Sequence, residues 1–172
     1  MSADLESVLS SYENGRITRR ELLGALTAFA AAGPASAQGL QPAIGAVKQL
    51  NHVTLFVEDV RKSVSFYQDL FGMPVLTPQD PGINLAAGTG FLGIYPAEGR
   101  PTGINHVCFG LENFDADTTL KRLVDRGLDA NIRLRGDTKE LYFNAPDNIR
   151  VQLQDVRYRG GVGPLGDRDP RR

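Results

Sequence analysis

The stretch Asn51-His52-Val53-Thr54-Leu55-Phe56-Val57-Glu58-Asp59 recurs 54 positions later as Asn105-His106-Val107-Cys108-Phe109-Gly110-Leu111-Glu112-Asn113. An internal repeat of this kind limits the chain to architectures built from two copies of one supersecondary unit. Asn, His, Val and Glu are identical at matched positions. Both copies alternate with the period of a strand, which puts Val53, Leu55 and Val57 on one face and Val107, Phe109 and Leu111 on the matching face of the second copy. Those apolar faces each need a helix to cover them.

The sequence supplies one after each strand. Asp59 stands where a helix N-cap is expected, Val60, Val64, Tyr67 and Leu70 follow at helical spacing, and Gly72 offers the left-handed stop. In the second copy Leu120, Leu123 and Val124 lead to Gly127. Three short strands are then predicted in each copy, near 74–77, 83–87 and 91–95 and near 130–134, 139–144 and 149–155. The unit is βαβββ, made twice over about 48–98 and 103–156, and the fold class is α+β with mixed sheets. With one face of each sheet under its own helix, the remaining faces turn toward a shared cleft.

On the first strand the cleft face carries Leu50, His52, Thr54 and Phe56, and in the second copy Ile104, His106, Cys108 and Gly110. The chain has two histidines, and they occupy equivalent positions of the repeat. On the last strand Ile149, Val151 and Leu153 form the covered stripe, so Arg150, Gln152 and Gln154 look the other way, and Gln152 is the natural third member of the group. A lone strand histidine is ordinarily a hydrogen-bonded core residue, and the pairing of two is what argues for a metal or substrate role. Cys108 reads either as a nucleophile or soft ligand or as small buried packing. Arg150 offers a two-pronged contact to a substrate carboxylate or is a solvated rim residue. Tyr95 is either a cleft donor or core packing.

The paired unit with Asn-His-Val at each start resembles the vicinal oxygen chelate superfamily, which holds glyoxalase I, extradiol dioxygenases, methylmalonyl-CoA epimerase, and fosfomycin and bleomycin resistance proteins. The run from Ser63 to Val75 is similar to its S-x-x-F-Y-x-x-x-L-G-x-x-V segment, and the run from Tyr142 to Leu153 resembles its closing F-x-D-P-D-G-N-x-x-E-L segment. The resemblance spans about 48–156 and implies the glyoxalase/bleomycin resistance fold. Matched to the family's metal site, it makes His52 and His106 imidazole ligands of a divalent ion (iron, manganese or zinc), with Gln152 where a glutamate normally completes the set. An amide carries no charge, so the ion would be weakly held. Gly93 stands at the equivalent of Gln152 in the first copy, and no fourth protein ligand is expected. Arg150, Tyr95, Cys108, Thr54 and Phe56 are then candidate substrate contacts. Ala145 replaces the usual aspartate, and Asn148 replaces a glycine whose left-handed backbone asparagine tolerates.

Two functions follow from the resemblance. One is a metal-dependent enzyme of dioxygenase or lyase/isomerase type, whose substrate offers two neighbouring oxygens to the ion. Glyoxalase-type isomerisation is disfavoured within it, because the family moves the proton on a glutamate ligand and Gln152 cannot accept one. The other is a metal-free small-molecule binding or sequestration protein of the bleomycin-resistance kind, with no cofactor. Either admits a homodimer.

Composition excludes other classes. The chain of 172 residues carries Lys+Arg 19 against Asp+Glu 20, so no net field draws it to nucleic acid or an anionic membrane. A single cysteine excludes an intramolecular disulfide. Residues 1–37 read as an export segment: a polar stretch ends at Arg19-Arg20, an apolar run covers Leu22 to Ala32, and Ala35-Ser36-Ala37 has the A-x-A cleavage pattern. The apolar run is shorter than the roughly 20 residues a membrane span needs, so no stable insertion is expected. Thr18-Arg19-Arg20-Glu21-Leu22-Leu23 resembles the bacterial twin-arginine signal, although Glu21 is acidic where such signals are not. Export to the periplasm or beyond is the expectation, against an amphipathic helix with an alanine-rich linker in a cytoplasmic protein. Residues 38–47 read as a linker, and 157–172, rich in Gly, Pro and alternating charge, as a flexible tail.

Overall fold

The structure is a computed structural model and describes residues 5–31 and 42–171. The chain divides into two units, Met1–Gln41 and Pro42–Arg172.

In the first unit, α1 (Leu5–Glu13) is followed by α2 (Arg19–Ala31). Thr18 caps α2. Its backbone N–H donates to Glu21 Oε2 at 2.7 Å, and Glu21 N–H donates back to the Thr18 hydroxyl at 3.3 Å, which is a capping box. Glu21 therefore has a local role in starting the helix, and the backbone hydrogen bond from Thr18 lowers its carboxyl pKa. No helix among the described residues is long and apolar enough to cross a membrane. The Ala35-Ser36-Ala37 pattern lies outside the described residues.

The second unit follows the repeat. Its first module is β1 (Val47–Val57), α3 (Val60–Phe71), β2 (Val75–Gln79), β3 (Gly82–Ala87) and β4 (Gly90–Pro96). The second is β5 (Gly103–Leu111), α4 (Ala116–Val124), β6 (Ala130–Arg135), β7 (Thr138–Asn144) and β8 (Arg150–Asp155). Together they form one eight-stranded mixed sheet in the order β2-β3-β4-β1-β5-β8-β7-β6. Within the modules β1 runs parallel to β4 and β5 parallel to β8. The modules join where β1 and β5 pair antiparallel, with Val53 opposite Val107, Thr54 opposite His106 and His52 opposite Cys108. The two halves meet within one chain.

The first module's helix is capped where the sequence puts it. Asp59 accepts from Lys62 N–H at 3.0 Å, and Gly72 closes α3 at φ 63°. Asp115 caps α4 in the same way through Thr118 N–H at 2.8 Å. Gly127 stops the second helix from a distance: α4 ends at Val124, whose carbonyl accepts from Gly127 N–H at 2.8 Å. Each helix covers its own core, built on Val64, Leu85 and Ile94 in the first module and on Leu111, Leu123, Leu141, Val151 and Leu153 in the second. Asp147 and Asn148 take the left-handed conformation that the turn before β8 requires, at φ 61° and 58°.

Three expectations are corrected. Leu50 is 54 % exposed and not on the cleft wall, because the β1–β5 register shifts between Leu50 and His52. Ile149 is also exposed, since the covered stripe of the last strand begins at Val151. Residues 157–171 do not trail away from the fold. Tyr158 is 4 % exposed, and Val162 and Arg168 exchange backbone hydrogen bonds at 3.0 Å. The Gly160 carbonyl accepts from Gln79 Nε2 at 2.9 Å, Asn84 Nδ2 at 3.2 Å and an Arg135 guanidinium nitrogen at 3.1 Å, so β2, β3 and β6 are all tied to this segment. Gly160 sits at φ 82°, where a Cβ would fall 2.3 Å from Asn84 Nδ2, and only glycine fits there.

Candidate functional site

The strand alternation that buries Val107 and Val151 against α4 turns His106 and Gln152 to the opposite, concave face. The register across the β1–β5 seam brings His52 to meet them. The three side chains are 4 %, 7 % and 1 % exposed for His52, His106 and Gln152. His52 Nε2 lies 3.1 Å from His106 Nε2 and 3.1 Å from Gln152 Oε1.

The neighbouring asparagines decide where the protons are. His52 Nδ1 lies 2.9 Å from Asn51 Oδ1, and His106 Nδ1 lies 2.8 Å from Asn105 Oδ1. The orientation of Asn51 follows from its other end, because its Nδ2 donates to the carbonyls of Val156 at 3.3 Å and Tyr158 at 3.1 Å, which only accept. Oδ1 therefore faces the ring, Nδ1 carries the proton, and Nε2 presents a lone pair; the repeat gives His106 the same tautomer. Burial keeps both rings neutral: desolvation and the nearby Arg150 guanidinium bring the His106 pKa down to about 4, and desolvation and His106 push His52 well below its usual range.

Two nitrogen lone pairs and an amide oxygen thus converge with no donor among them, and Gln152 Nε2 is buried without a partner. Such an arrangement is repulsive unless something electropositive lies between the three atoms. Imidazoles bind zinc and similar ions at about 2.0–2.2 Å, and two of them at near right angles about one ion would hold their nitrogens about 3 Å apart. The residues fit a divalent ion. Each imidazole also has the outer contact that such ligands need, an acceptor on Nδ1–H, and His52 is further fixed by stacking on Phe91 with ring centroids 4.2 Å apart. Among the described residues no group of three His, Cys, Asp or Glu side chains converges, and the third oxygen or nitrogen at this point belongs to the Gln152 amide.

The trio opens into a cleft of about 260 Å³ whose walls include Thr54, Phe56, Tyr95 and Arg150. Tyr95 donates to Asn84 Oδ1 at 3.4 Å, and the Phe56 ring is capped by the Arg100 guanidinium at 3.9 Å. Cys108 is corrected: it is fully buried and outside the cleft wall, wedged in the sheet between the rungs of His52 and Gln152. Burial raises its thiol pKa well above the usual value, which disfavours the thiolate that a ligand or nucleophile needs. A Cβ on Gly93 would meet Thr54 Oγ1 at 3.0 Å and Asn84 Oδ1 at 3.2 Å, so a side chain there would have to displace its neighbours.

The sequence reading missed Glu140. This carboxylate is 5 % exposed, lines the cleft, and accepts from the hydroxyls of Tyr142 at 3.1 Å and Tyr158 at 3.3 Å. The signal was present, since Glu140 shares strand parity with Tyr142 and opposes the covered Leu141.

A family model for the Glyoxalase/Bleomycin resistance protein/Dioxygenase superfamily matches residues 49–153. The metallothiol transferase FosB of Staphylococcus saprophyticus is 26% identical over 130 residues, covering 71% of this chain and 82% of that protein. The glutathione transferase FosA of Serratia marcescens is 26% identical over 113 residues, covering 62% and 80%. Among solved structures, methylmalonyl-CoA epimerase from Mycobacterium tuberculosis shares the fold with a TM-score of 0.53 at 18% identity, covering 63% of this chain and 88% of that one. The match spans both modules and includes both histidines and Gln152, and the chain belongs to the Glyoxalase/Bleomycin resistance protein/Dioxygenase superfamily, the vicinal oxygen chelate proteins.

Proposed function

We propose that this chain is a metal-dependent enzyme that holds a divalent ion on His52, His106 and Gln152 and acts on a small molecule with two neighbouring oxygens. The observation that carries the reading is the convergence of two Nε2 lone pairs and Gln152 Oε1 on one point with no donor between them. Such an ion supplies Lewis acidity, stabilising negative charge that develops on substrate oxygens. Asn51 and Asn105 hold the imidazoles in the ligating tautomer, and Phe91 fixes the His52 ring. Gln152 keeps no proton-accepting function, so a reaction that needs a basic ligand is disfavoured. Addition, lyase or oxygenation chemistry, in which the second reactant brings its own nucleophile or oxidant, suits the site better. The names of two relatives, a metallothiol transferase and a glutathione transferase, support a reaction in which a thiol is the second reactant.

Calorimetric titration of chelator-treated protein with manganese, zinc and ferrous ions should give one site per chain. His52→Ala or His106→Ala should weaken binding at least about a hundredfold, while Asn105→Ala, which leaves the ligands but frees the ring, should cost about 10–100-fold. If the parent binds none of the three ions, or the histidine changes alter nothing, the metal-free binding reading takes its place. The Gln152 amide would then be turned over, its Nε2 donating to His52 Nε2 in a neutral cleft.

We also infer export from the Arg19-Arg20 segment. Replacing both by lysine should leave uncleaved precursor in the cytoplasm, and unchanged export would sink that inference.

A further inference from the structure

Four guanidinium groups line the cleft. Three face a carboxylate: Arg100 lies 3.2 Å from Glu98, and Arg133 and Arg135 lie 3.8 Å and 3.9 Å from Glu140. The fourth, Arg150, has no carboxylate within ion-pair distance among the described residues. Its guanidinium is instead seated over the Tyr142 ring, 4.3 Å from the centroid. Tyr142 in turn meets the His106 ring edge-on, with centroids 5.4 Å apart, and pairs with Gln152 across β7 and β8. Arg150 stands two residues before Gln152 on β8, so the strand turns both to the same face.

A guanidinium over an aromatic ring engages the ring with its face and keeps the N–H donors of its rim free for a planar, two-pronged acceptor. The stacking also holds the side chain in place before anything binds, which lowers the ordering cost of a contact. The three donors of the candidate metal centre are all neutral, so a divalent ion there would keep its full charge. Arg150 adds another beside it. Against the four guanidiniums the cleft wall sets three carboxylates, Asp80, Glu98 and Glu140, and the last two lie within ion-pair distance of Arg100, Arg133 and Arg135 and not of Arg150. A cleft with that imbalance favours an anion.

We propose that Arg150 is a specificity-determining residue that grips a second anionic group, a carboxylate or a phosphate, on a small substrate whose other end presents neighbouring oxygens to the His52, His106 and Gln152 centre. The substrate class is thus a hydroxy or keto acid with a second oxyanion, small enough for a cleft of about 260 Å³. The placement of the oxygens rests on the metal centre proposed above, whereas the grip of Arg150 does not require the ion.

Three probes separate the parts: glycolate, which has a hydroxyl next to one carboxylate; malate, which adds a second carboxylate; and 3-phosphoglycerate, which adds a phosphate. On manganese-loaded protein, malate or 3-phosphoglycerate should bind at least about tenfold more tightly than glycolate, about 1.4 kcal/mol, and the better of the two identifies the group Arg150 takes. Arg150→Met should erase that advantage, weakening malate or 3-phosphoglycerate far more than glycolate, and a cooperative urea transition shows that the variant is folded. Arg150→Lys should restore only part, because an ammonium keeps the charge and loses the fork. The same titrations on chelator-treated protein, read by NMR shifts, isolate the guanidinium. An Arg150-dependent preference in protein that takes up no metal would sink the metal centre alone. A preference that survives Arg150→Met, or no preference for either malate or 3-phosphoglycerate in the parent, overturns the assignment to Arg150.

Discussion

Gln152→Glu is expected to bind manganese or zinc at least about tenfold more tightly than the parent, a gain of about 1.4 kcal/mol. The side chain is 1 % exposed and its oxygen already lies 3.1 Å from His52 Nε2, so the substitution changes charge with little change of position. A carboxylate oxygen carries charge where the amide carries a dipole, and a hard cation responds to that difference. Without metal the sign reverses. The new carboxylate would be buried beside two nitrogen lone pairs with no cation, and the metal-free variant should lose about 3 kcal/mol against the parent in urea unfolding. A wide gap between metal-bound and metal-free midpoints is the expected signature, and equal metal affinities would mean that Gln152 does not reach the ion.

Glu140→Leu is expected to destabilise the protein by about 3–5 kcal/mol, the usual cost of removing one partner from a buried charged network. The carboxylate is the acceptor for two buried hydroxyls, Tyr142 and Tyr158, and faces Arg135, whose side chain is 19% exposed. Leucine would leave both hydroxyls without an acceptor and two guanidiniums, Arg133 and the more buried Arg135, without their counter-charge. Glu140→Gln keeps an acceptor oxygen and should cost clearly less. Urea midpoints with unchanged slopes would read both losses, and a leucine variant within 0.5 kcal/mol of the parent would show that the network contributes nothing.

Local patterning reached the fold and the core of the site for physical reasons. The repeat placed two histidines at equivalent strand positions, the apolar stripe of Val151 and Leu153 assigned Gln152 to the other face, and Asp59 and Gly72 marked the ends of the first module's helix. Strand parity, however, tells which face a residue takes and not how deep it lies. Cys108 shares the parity of His106 yet is sealed between neighbouring rungs, and Leu50 shares that of His52 yet escapes at a register shift. Glu140 obeyed the same rule that found Gln152 and was readable from Leu141 and Tyr142. The closing segment was not readable, because Tyr158 and Gly160 are fixed by hydrogen bonds to side chains far along the chain, Gln79, Asn84 and Glu140 among them, and no periodicity records such partners.

The seam between β1 and β5 has the geometry of a self-complementary contact. Val53 lies opposite Val107, its own counterpart in the repeat, and the pairs His52 with Cys108 and Thr54 with His106 exchange places about that point. Two identical half-length chains meeting by this edge would obey the same rule as a twofold dimer, in which each residue of one copy answers its mate in the other. Such an ancestor, a single βαβββ unit paired with itself, would have brought two imidazoles together before any second module existed. Joining two such copies into one chain would free the halves to differ, and in this chain they differ at one matched pair of positions. One holds a side chain that reaches the imidazoles, Gln152, and the other holds Gly93. The pair of histidines obeys the twofold relation, and the rest of the pocket departs from it.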